Sequence, residues 1–197
     1  ALDFTPEFRA RRITERLETL TDATAEDMAS VHAESVSIPA GVYTTALMEI
    51  TPLDDLSAVA IERLRGWDGE MSAGSVAAAI YGSFRRHLDH ALLRHALGSL
   101  YDDAVAAAGR GAPLHIRRLQ ERFVEMAGSN DSSVLPPGTD WPTVMARAMA
   151  DGVAYLAERL GNDVDAWEWG KVHFTQPRHT LSPMFPEMAG LLDPPSL

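Results

Sequence analysis

Three histidines, His87, His90 and His95, lie within one stretch of predicted helix and are the first candidates for metal chemistry. Neutral imidazoles three or four positions apart share a helix face, and zinc sites use such pairs. Only His87 and His90 have that spacing, and Asp89 points to another side of the helical wheel. A zinc site also needs a third protein ligand, and Arg86 adds a competing positive charge. The sequence therefore favours solvated or hydrogen-bonded histidines, and no metal site is predicted in this chain.

The serines and carboxylates do not form a recognisable catalytic set. No serine stands in a Gly-x-Ser-x-Gly turn, and no glycine-rich loop follows a strand to hold a phosphate. Neighbouring carboxylates such as Glu26 and Asp27, or Asp102 and Asp103, are separated by about 100° around a helix and do not make a general acid and base pair. Cysteine is absent, which excludes thiol chemistry. No hydrolytic centre is visible within these residues.

The segment Trp167-Glu168-Trp169-Gly170-Lys171-Val172-His173 concentrates large side chains near the end of the chain. Tryptophan is costly to leave in water, so the two indoles are interpreted as sealing an interface. In this interpretation His173 satisfies a buried polar partner. Catalysis by His173 is the less favoured alternative.

Helices must position these residues, because apolar side chains recur with helical period over most of the chain. Caps, prolines and glycines at the ends of the periodic segments predict seven helices. They cover about residues 6–20, a segment from 24 to before Pro39, then 42–50, 56–64, 75–98, a segment around 119–126, and 140–161. Residues 171–175 are a candidate strand, and the prolines beyond residue 177 exclude one continuous element there.

Composition restricts the partners of the chain. The 197 residues carry a formal net charge of −11, which disfavours binding to a nucleic acid duplex, because Lys and Arg supply most of that affinity. The one basic cluster, at Arg9, Arg11, Arg12 and Arg16, alternates with glutamates at helical spacing and is interpreted as a mixed-charge helix face. No apolar run approaches the roughly 20 residues that a membrane span needs. Neither a nucleic acid partner nor a membrane span is predicted.

Several short motifs, taken in order, resemble the beta-chain of penicillin acylases and acyl-homoserine lactone acylases. Phe8-Arg9-Ala10-Arg11-Arg12-Ile13 is similar to that family's Tyr-Arg-Ala-x-Arg-Ile helix, and Thr24-Ala25-Glu26-Asp27-Met28 to its Thr-x-Glu-Asp-Met helix start. Trp67-Asp68-Gly69 matches its Trp-Asp-Gly turn. Trp169-Gly170-x-x-His173, followed by His179 and Leu181, resembles its Trp-Gly-x-x-His and His-Pro-Leu signatures. The motifs keep the family's order over nearly the whole chain.

Three positions depart from the family's pattern. His32 and Glu34 stand where Gln and Asp are usual, and Thr180 stands where Pro is usual. These differences concern the subfamily more than membership in the family.

The resemblance implies an N-terminal nucleophile hydrolase, made as a precursor that cleaves itself to expose a serine. That serine acts as the nucleophile with its own amino group as base, and an asparagine stabilises the oxyanion. By the resemblance, these groups and the family's calcium ligands lie outside this chain, so no cofactor is expected within it. Arg9 matches an arginine that supports the active site, and it is the one catalytic candidate here. By the resemblance, its guanidinium would orient the oxyanion asparagine or a substrate carboxylate by paired hydrogen bonds, and an ordinary surface salt bridge is the alternative. The resemblance also suggests a periplasmic or secreted location.

The expected fold is an all-α domain of about seven helices, residues 1–166, from a larger αββα enzyme. Residues 167–197 are expected to form an irregular tail that joins the missing catalytic sandwich, with Trp169 and His173 seating the helical region on it. The expected partners are the remainder of the precursor, namely its alpha-chain and the rest of its beta-chain, and a small N-acyl substrate. The helical region is expected to wall the acyl-binding cleft, and the chain alone is expected to be inactive.

Two alternatives stay open. The first is an acylase for acyl-homoserine lactones or other N-acyl amino acids, which the residues do not separate from a penicillin acylase. The second is a self-contained helical module that binds a ligand or regulates another protein.

Overall fold

A computed structural model describes residues 7–106, 114–174 and 178–193, and in these ranges the chain is mainly helical, without a β-strand. Short 3-10 turns link several of the helices. The α-helices are α1 (Phe8–Glu18), α2 (Ala25–His32), α3 (Ile38–Leu47), α4 (Asp55–Arg63), α5 (Val76–Leu97), α6 (Tyr101–Ala106), α7 (Leu114–Gly128), α8 (Trp141–Leu160), α9 (Trp169–Val172) and α10 (Ala189–Leu192).

The seven predicted helices correspond to α1 to α5, α7 and α8, and the prediction of an all-α fold is confirmed. Side chains cap several of the starts as the sequence indicates. The Thr24 hydroxyl accepts a hydrogen bond from the Asp27 N–H, and the Asp27 carboxylate accepts one from the Thr24 N–H, which completes a capping box. Asp140 caps α8 by accepting a hydrogen bond from the Thr143 N–H at 2.9 Å.

One helix boundary and one additional helix differ from the prediction. Pro39 was predicted to lie beyond the end of the second helix, whereas α2 ends at His32 and Pro39 lies in the first turn of α3. Proline is well suited to a first turn because its missing N–H has no partner there. The helix α6 was not predicted, and it begins directly after a 3-10 turn at Gly98–Leu100 that follows α5.

The core is centred on α5 and α8, the two longest helices in the described ranges. The Ala-rich opening of α5 is buried, including Ala78 and Ala79, as its small residues predict for a close neighbour. At Gly152 of α8 an added Cβ would stand 2.9 Å from the Phe84 backbone nitrogen, so the two backbones touch at this point. A buried hydrogen bond from the Ser83 hydroxyl to the Gly152 carbonyl, at 2.9 Å, fastens the same crossing.

The packed core extends past the boundary predicted at residue 166. Trp167 is 0% exposed and donates its indole N–H to the Gly161 carbonyl at 2.7 Å. An indole has an apolar body and a single donor, so this position satisfies both parts. Whether residues 167–197 as a whole join another domain stays a prediction.

The strand predicted at 171–175 is wrong for the part of it that the structure describes. Lys171 and Val172 belong to the helical turn α9, which the His173 N–H closes on the Trp169 carbonyl at 2.8 Å. The Gly170 N–H also bonds the Ala73 carbonyl at 2.7 Å, so tertiary contacts fix the backbone here. Residue 175 lies outside the described residues.

Residues 178–193 form short helical turns held by Asp193, whose carboxylate accepts hydrogen bonds from the His179 N–H at 2.7 Å and from the Ser182 hydroxyl. Large apolar side chains of this segment are exposed, namely Leu181, Met184, Phe185, Met188 and Leu191. None of the helices in the described ranges combines the length and apolar character needed to cross a bilayer.

Candidate functional site

Arg9, the one catalytic candidate of the sequence, lies near the start of α1 and holds the end of α2. Its guanidinium donates to the backbone carbonyls of Glu34 at 2.7 Å, His32 at 2.8 Å and Val31 at 3.2 Å. The last carbonyls of a helix have no partner within the helix, and a cation there also meets the negative end of the helix dipole. Three of its N–H contacts are therefore made to the protein backbone.

A cluster of charges continues this contact between α1 and the chain that follows α2. The Glu34 carboxylate pairs with Arg12 at 3.1 Å and with Arg16 at 3.3 Å, and its side chain is only 8% exposed. Hydrogen bonds from Arg12 to Glu34 and Glu15 raise the pKa of the Arg12 guanidinium. Glu34 is thus an ion-paired carboxylate between two arginines.

The turn Trp67-Asp68-Gly69 lies against the loop before α3. Asp68 accepts a hydrogen bond from the Glu70 N–H at 2.9 Å, and Gly69 has a φ of +85°, a conformation that favours glycine. The Gly69 carbonyl accepts from the Ser37 N–H at 2.9 Å. The Trp67 ring lies 5.4 Å from the Tyr81 ring, centroid to centroid. The turn therefore joins residues 35–37 to α5.

The motif Trp169-Gly170-x-x-His173 packs on the same part of α5. A Cβ added to Gly82 would stand 2.3 Å from the Trp169 ring, so glycine is needed for the indole to lie on the helix. His173 stacks on the same indole, with the two rings nearly parallel and their centroids 4.4 Å apart. Gly170 contacts Ala73, where an added Cβ would stand 3.2 Å from the alanine Cβ. Trp169 is thereby fixed in a single orientation, and His173 is exposed rather than buried.

Two adjoining surface clefts bring these motifs together. The α1 cleft, of about 310 Å³, is lined by Phe8, Arg9, Arg12, Glu34, Ser35, Val36, Ser37, Ile38, Pro39 and Arg85. The Trp169 cleft, of about 350 Å³, is lined by Ser37, Met71, Tyr81, Gly82, Arg85, Arg86, Asp89, His90 and Trp169. Ser37 and Arg85 line both clefts. Residues from the first and last predicted motifs therefore line two clefts that adjoin at Ser37 and Arg85.

Polar side chains of α3 and α5 lie beneath the clefts. Arg85 pairs with Asp89 at 3.7 Å, and its Nη1 donates to the Tyr81 hydroxyl at 3.4 Å. The Tyr43 hydroxyl is buried and has no hydrogen-bond partner among the described residues. Burial, together with the Asp89 carboxylate, raises the pKa of Tyr43, which keeps it protonated.

The histidines of α5 make hydrogen bonds instead of converging on one point. The His87 Nδ1 lies 2.8 Å from the Ser83 carbonyl, the His90 Nδ1 pairs with the Tyr101 hydroxyl, and His95 is exposed. Among the residues that the structure describes, no group of three or more His, Cys, Asp or Glu side chains is placed to hold a metal ion.

Sequence reasoning missed four residues of this surface, Tyr81, Gly82, Arg85 and Asp89. The apolar stripe of α5 indicates only that these four residues lie at the side of a helix that packs in the core. A signal was nevertheless present, because Arg85 and Asp89 are an i,i+4 charge pair inside the long Ala-rich and Leu-rich stretch. An ion pair in such a position is rarely left without a partner surface.

Comparison with known proteins identifies the family of this mainly helical chain. The penicillin amidase family model matches residues 1–194. The chain belongs to the penicillin amidase family, and the resemblance noted in its motifs is confirmed.

Individual relatives are longer than this chain. It is 29% identical to the penicillin acylase 2 proenzyme of Pseudomonas sp. strain SE83, over 98% of this chain and 24% of that protein. It is 31% identical to the acyl-homoserine lactone acylase QuiP of Pseudomonas aeruginosa, over 67% of this chain and 16% of that protein. The chain thus spans about a quarter of the first relative and about a sixth of the second.

Proposed function

We propose that this chain is the helical region of a penicillin acylase-type enzyme that hydrolyses N-acyl amide bonds. The observation that carries the proposal is the family match over residues 1–194. The relatives' greater length supports a role as part of a larger polypeptide. The partners would then be the remainder of the precursor and a small N-acyl substrate.

The proposed reaction places the nucleophile outside these residues. Acyl transfer of this kind needs a hydroxyl or thiol beside a base. In the described ranges no serine hydroxyl is hydrogen-bonded to a histidine ring, and the chain has no cysteine. An N-terminal serine, as the family resemblance implies, would supply both the nucleophile and the base.

The helical region would wall the acyl-binding cleft, with Arg9 as its link to the catalytic centre. Two guanidinium contacts of Arg9 hold the carbonyls of Val31 and His32 that end α2, and a third holds the Glu34 carbonyl just after it, which supports a positioning role for Arg9. By fixing α1 against α2, Arg9 would set the direction in which the chain before α1 approaches the active site. Trp169 and His173, which lie beside the adjoining cleft, would seat the region on the catalytic sandwich.

The first experiment compares the 197-residue chain with the complete precursor that encodes it. Both are incubated with a phenylacetyl amide and with a fatty-acyl amide, and release of the acid is measured. The precursor should process itself and release acid, whereas the chain alone should release none. Turnover by the chain alone would contradict the proposed division of the enzyme.

The second experiment tests Arg9 in the complete precursor. Arg9→Ala should lower kcat by about tenfold or more, because misplacing the reacting groups by about 1 Å is costly. Arg11→Ala is the matched control, since Arg11 is exposed and its one ion pair within the described ranges is with Glu15, four residues on. If Arg9→Ala and His173→Ala both kept full turnover, neither residue would have the proposed role.

The relatives favour a second candidate substrate. The acyl-homoserine lactone acylase relatives include the QuiP proteins of Pseudomonas aeruginosa and Pseudomonas fluorescens, each 31% identical over the matched residues. In this alternative the enzyme removes the fatty acyl chain from an N-acyl homoserine lactone. The ratio of kcat/KM for a long-chain acyl-homoserine lactone to that for a phenylacetyl amide distinguishes the two.

A further inference from the structure

We propose that Arg85 anchors a binding site for an amphipathic carboxylate in the Trp169 cleft, where the α1 cleft adjoins it. The inference goes beyond the proposed function, because its anchor, Arg85, has no role in the proposed hydrolysis. Three features of the cleft carry it: unused hydrogen-bond donors, a local excess of positive charge, and a rigid apolar wall.

The first feature is the incomplete pairing of the Arg85 guanidinium. Arginine carries five N–H donors in a planar fork that matches a carboxylate. Among the described residues, Arg85 makes one hydrogen bond, to the Tyr81 hydroxyl at 3.4 Å, and one ion pair, with Asp89 at 3.7 Å. Both contacts are long, and neither uses the fork in a bidentate way. The side chain is nevertheless only 25% exposed, so water alone is a poor substitute for a partner.

The second feature is the charge of the two clefts. They are lined by four arginines, Arg9, Arg12, Arg85 and Arg86, against two carboxylates, Glu34 and Asp89. The chain as a whole carries a net charge of −11, so the sign of this surface is opposite to that of the chain's net charge. A concave surface of one sign attracts the opposite charge.

The carboxylates already present do not fill this role. Glu34 is held by Arg12 and Arg16, at 3.1 Å and 3.3 Å. Asp89 lies one helical turn beyond Arg85, and its carboxylate pairs with the Arg85 Nε at 3.7 Å. Tyr81 takes one hydrogen bond from Nη1, which leaves Nη2 of the Arg85 fork for an acceptor from outside α5.

The third feature is the apolar wall beside the guanidinium. Trp169 is fixed between Gly82 and His173, and Met71 lines the same cleft. An aromatic or alkyl group would lie against these side chains while its carboxylate met Arg85. This combination predicts a ligand with one carboxylate on a short apolar body, and not a free inorganic anion.

The test titrates the 197-residue chain with 3-phenylpropanoate and with its neutral isostere, 3-phenylpropanamide, by calorimetry and tryptophan fluorescence. The carboxylate should bind at least about tenfold more tightly than the amide, because it forms charge-assisted hydrogen bonds. Arg85→Gln should remove this preference, and Arg85→Lys should restore part of it, since lysine provides charge without the fork. Arg65→Gln, which makes the same change in charge at an exposed site, should leave both affinities unchanged.

A fold defect is separated from a binding defect by a second variant. Arg86 is exposed, and Arg86→Gln should weaken the carboxylate by about threefold without altering the circular dichroism melt. Equal affinity for the acid and the amide would overturn the proposal, as would full carboxylate binding by a folded Arg85→Gln chain.

The complete enzyme provides the second arm of the test. If Arg85-dependent binding of 3-phenylpropanoate persists there, the site takes a small amphipathic carboxylate, as proposed. If the 197-residue chain binds it and the complete enzyme does not, the remaining polypeptide covers the cleft and the proposal is overturned. Neither result depends on amide hydrolysis.

Discussion

The contact between α5 and α8 and the contact between α1 and α2 are built from different forces. At the α5–α8 crossing, backbone touches backbone at Gly152, and the surrounding side chains, among them Phe84 and Met149, are almost completely buried. Helix α1 has no buried residue. It is held to α2 and the chain that follows it by Arg9, Arg12 and Arg16.

This difference separates the part of the molecule that determines its shape from the part that supplies charge. Burial of apolar surface dominates stability, whereas ion pairs between partly exposed side chains contribute less and are weakened by salt. Regions with few buried contacts also open at lower free energy than the core does. The α1–α2 contact should therefore be the first to respond to ionic strength or to a partner.

We expect the largest effect from removing a buried apolar side chain of the core around α5 and α8. Trp167→Ala should lower the free energy of unfolding by about 4 kcal/mol, because it empties a fully buried site and leaves the Gly161 carbonyl without its donor. Urea denaturation followed by circular dichroism measures the loss. Leu100→Ala, at a side chain that is 63% exposed, should stay within about 0.5 kcal/mol of the parent chain. A small loss at Trp167 would show that its indole is not an anchor of the core.

Close packing at the α5–α8 crossing predicts the next effect. Gly152→Ala should cost about 2 kcal/mol, since its Cβ would meet the Phe84 backbone at 2.9 Å and backbone cannot move aside cheaply. Gly41→Ala is the matched control in α3, where an added Cβ meets nothing within 4 Å. It should stabilise the chain by up to about 1 kcal/mol through helix propensity. Equal effects of the two substitutions would show that the helices do not touch at Gly152.

A smaller effect, which depends on salt, is expected at the contact between α1 and α2. Glu34→Gln should cost about 1 kcal/mol at low ionic strength, because Arg12 and Arg16 lose their shared carboxylate. The loss should shrink in about 1 M NaCl, where the screening length falls to about 3 Å. Urea is the denaturant of choice, since guanidinium chloride is itself a salt. Glu62→Gln is the control. Glu62 is exposed and pairs with Arg65 just past the end of α4, so this substitution should change stability by less than about 0.5 kcal/mol. A loss that does not depend on salt would remove the contrast between the two regions.

The helices were predictable because their causes are local. Apolar period, caps such as Thr24 and Asp140, and the proline of a first turn act within a few residues, and the structure shows the corresponding helices. Pro39 was assigned to the wrong helix because a proline marks both a stop and a start. The segment at 171–175 was misjudged because a distant backbone, at Ala73, determines its conformation.

The candidate site was predictable only in part for the same reason. The motifs at Arg9, Trp67 and Trp169 were recognisable as residue strings, but nothing in them shows that they border two adjoining clefts. That arrangement depends on Gly82, which allows the indole to lie on α5, and on Arg85, which lines both clefts. Such contacts join residues far apart in the chain and have no local signature.

We expect the smallest effect at His90, on the polar side of α5. It tests whether that side of the helix is shielded from water as the apolar side is. Burial, then the nearby charges of Arg86, His87 and Arg94, lowers the pKa of His90 below its ordinary value of 6.5. The unfolded chain therefore binds this proton more readily than the folded chain does. The stabilisation from a neutral His90 is complete above the ordinary pKa and is lost as the pH falls through the lowered one.

Protonation of His90 should accordingly cost stability as the pH falls. Urea denaturation at about pH 7.5 and about pH 5 should show a decrease that is smaller in His90→Gln than in the parent chain. His95→Gln is the matched control, since His95 is exposed on the same helix, and it should keep the decrease of the parent chain. If His90→Gln showed the full decrease, His90 would be as well solvated in the folded chain as in the unfolded one. The polar side of α5 around His90 would then resemble the α1–α2 contact more than the core, because its charges would be exposed to water.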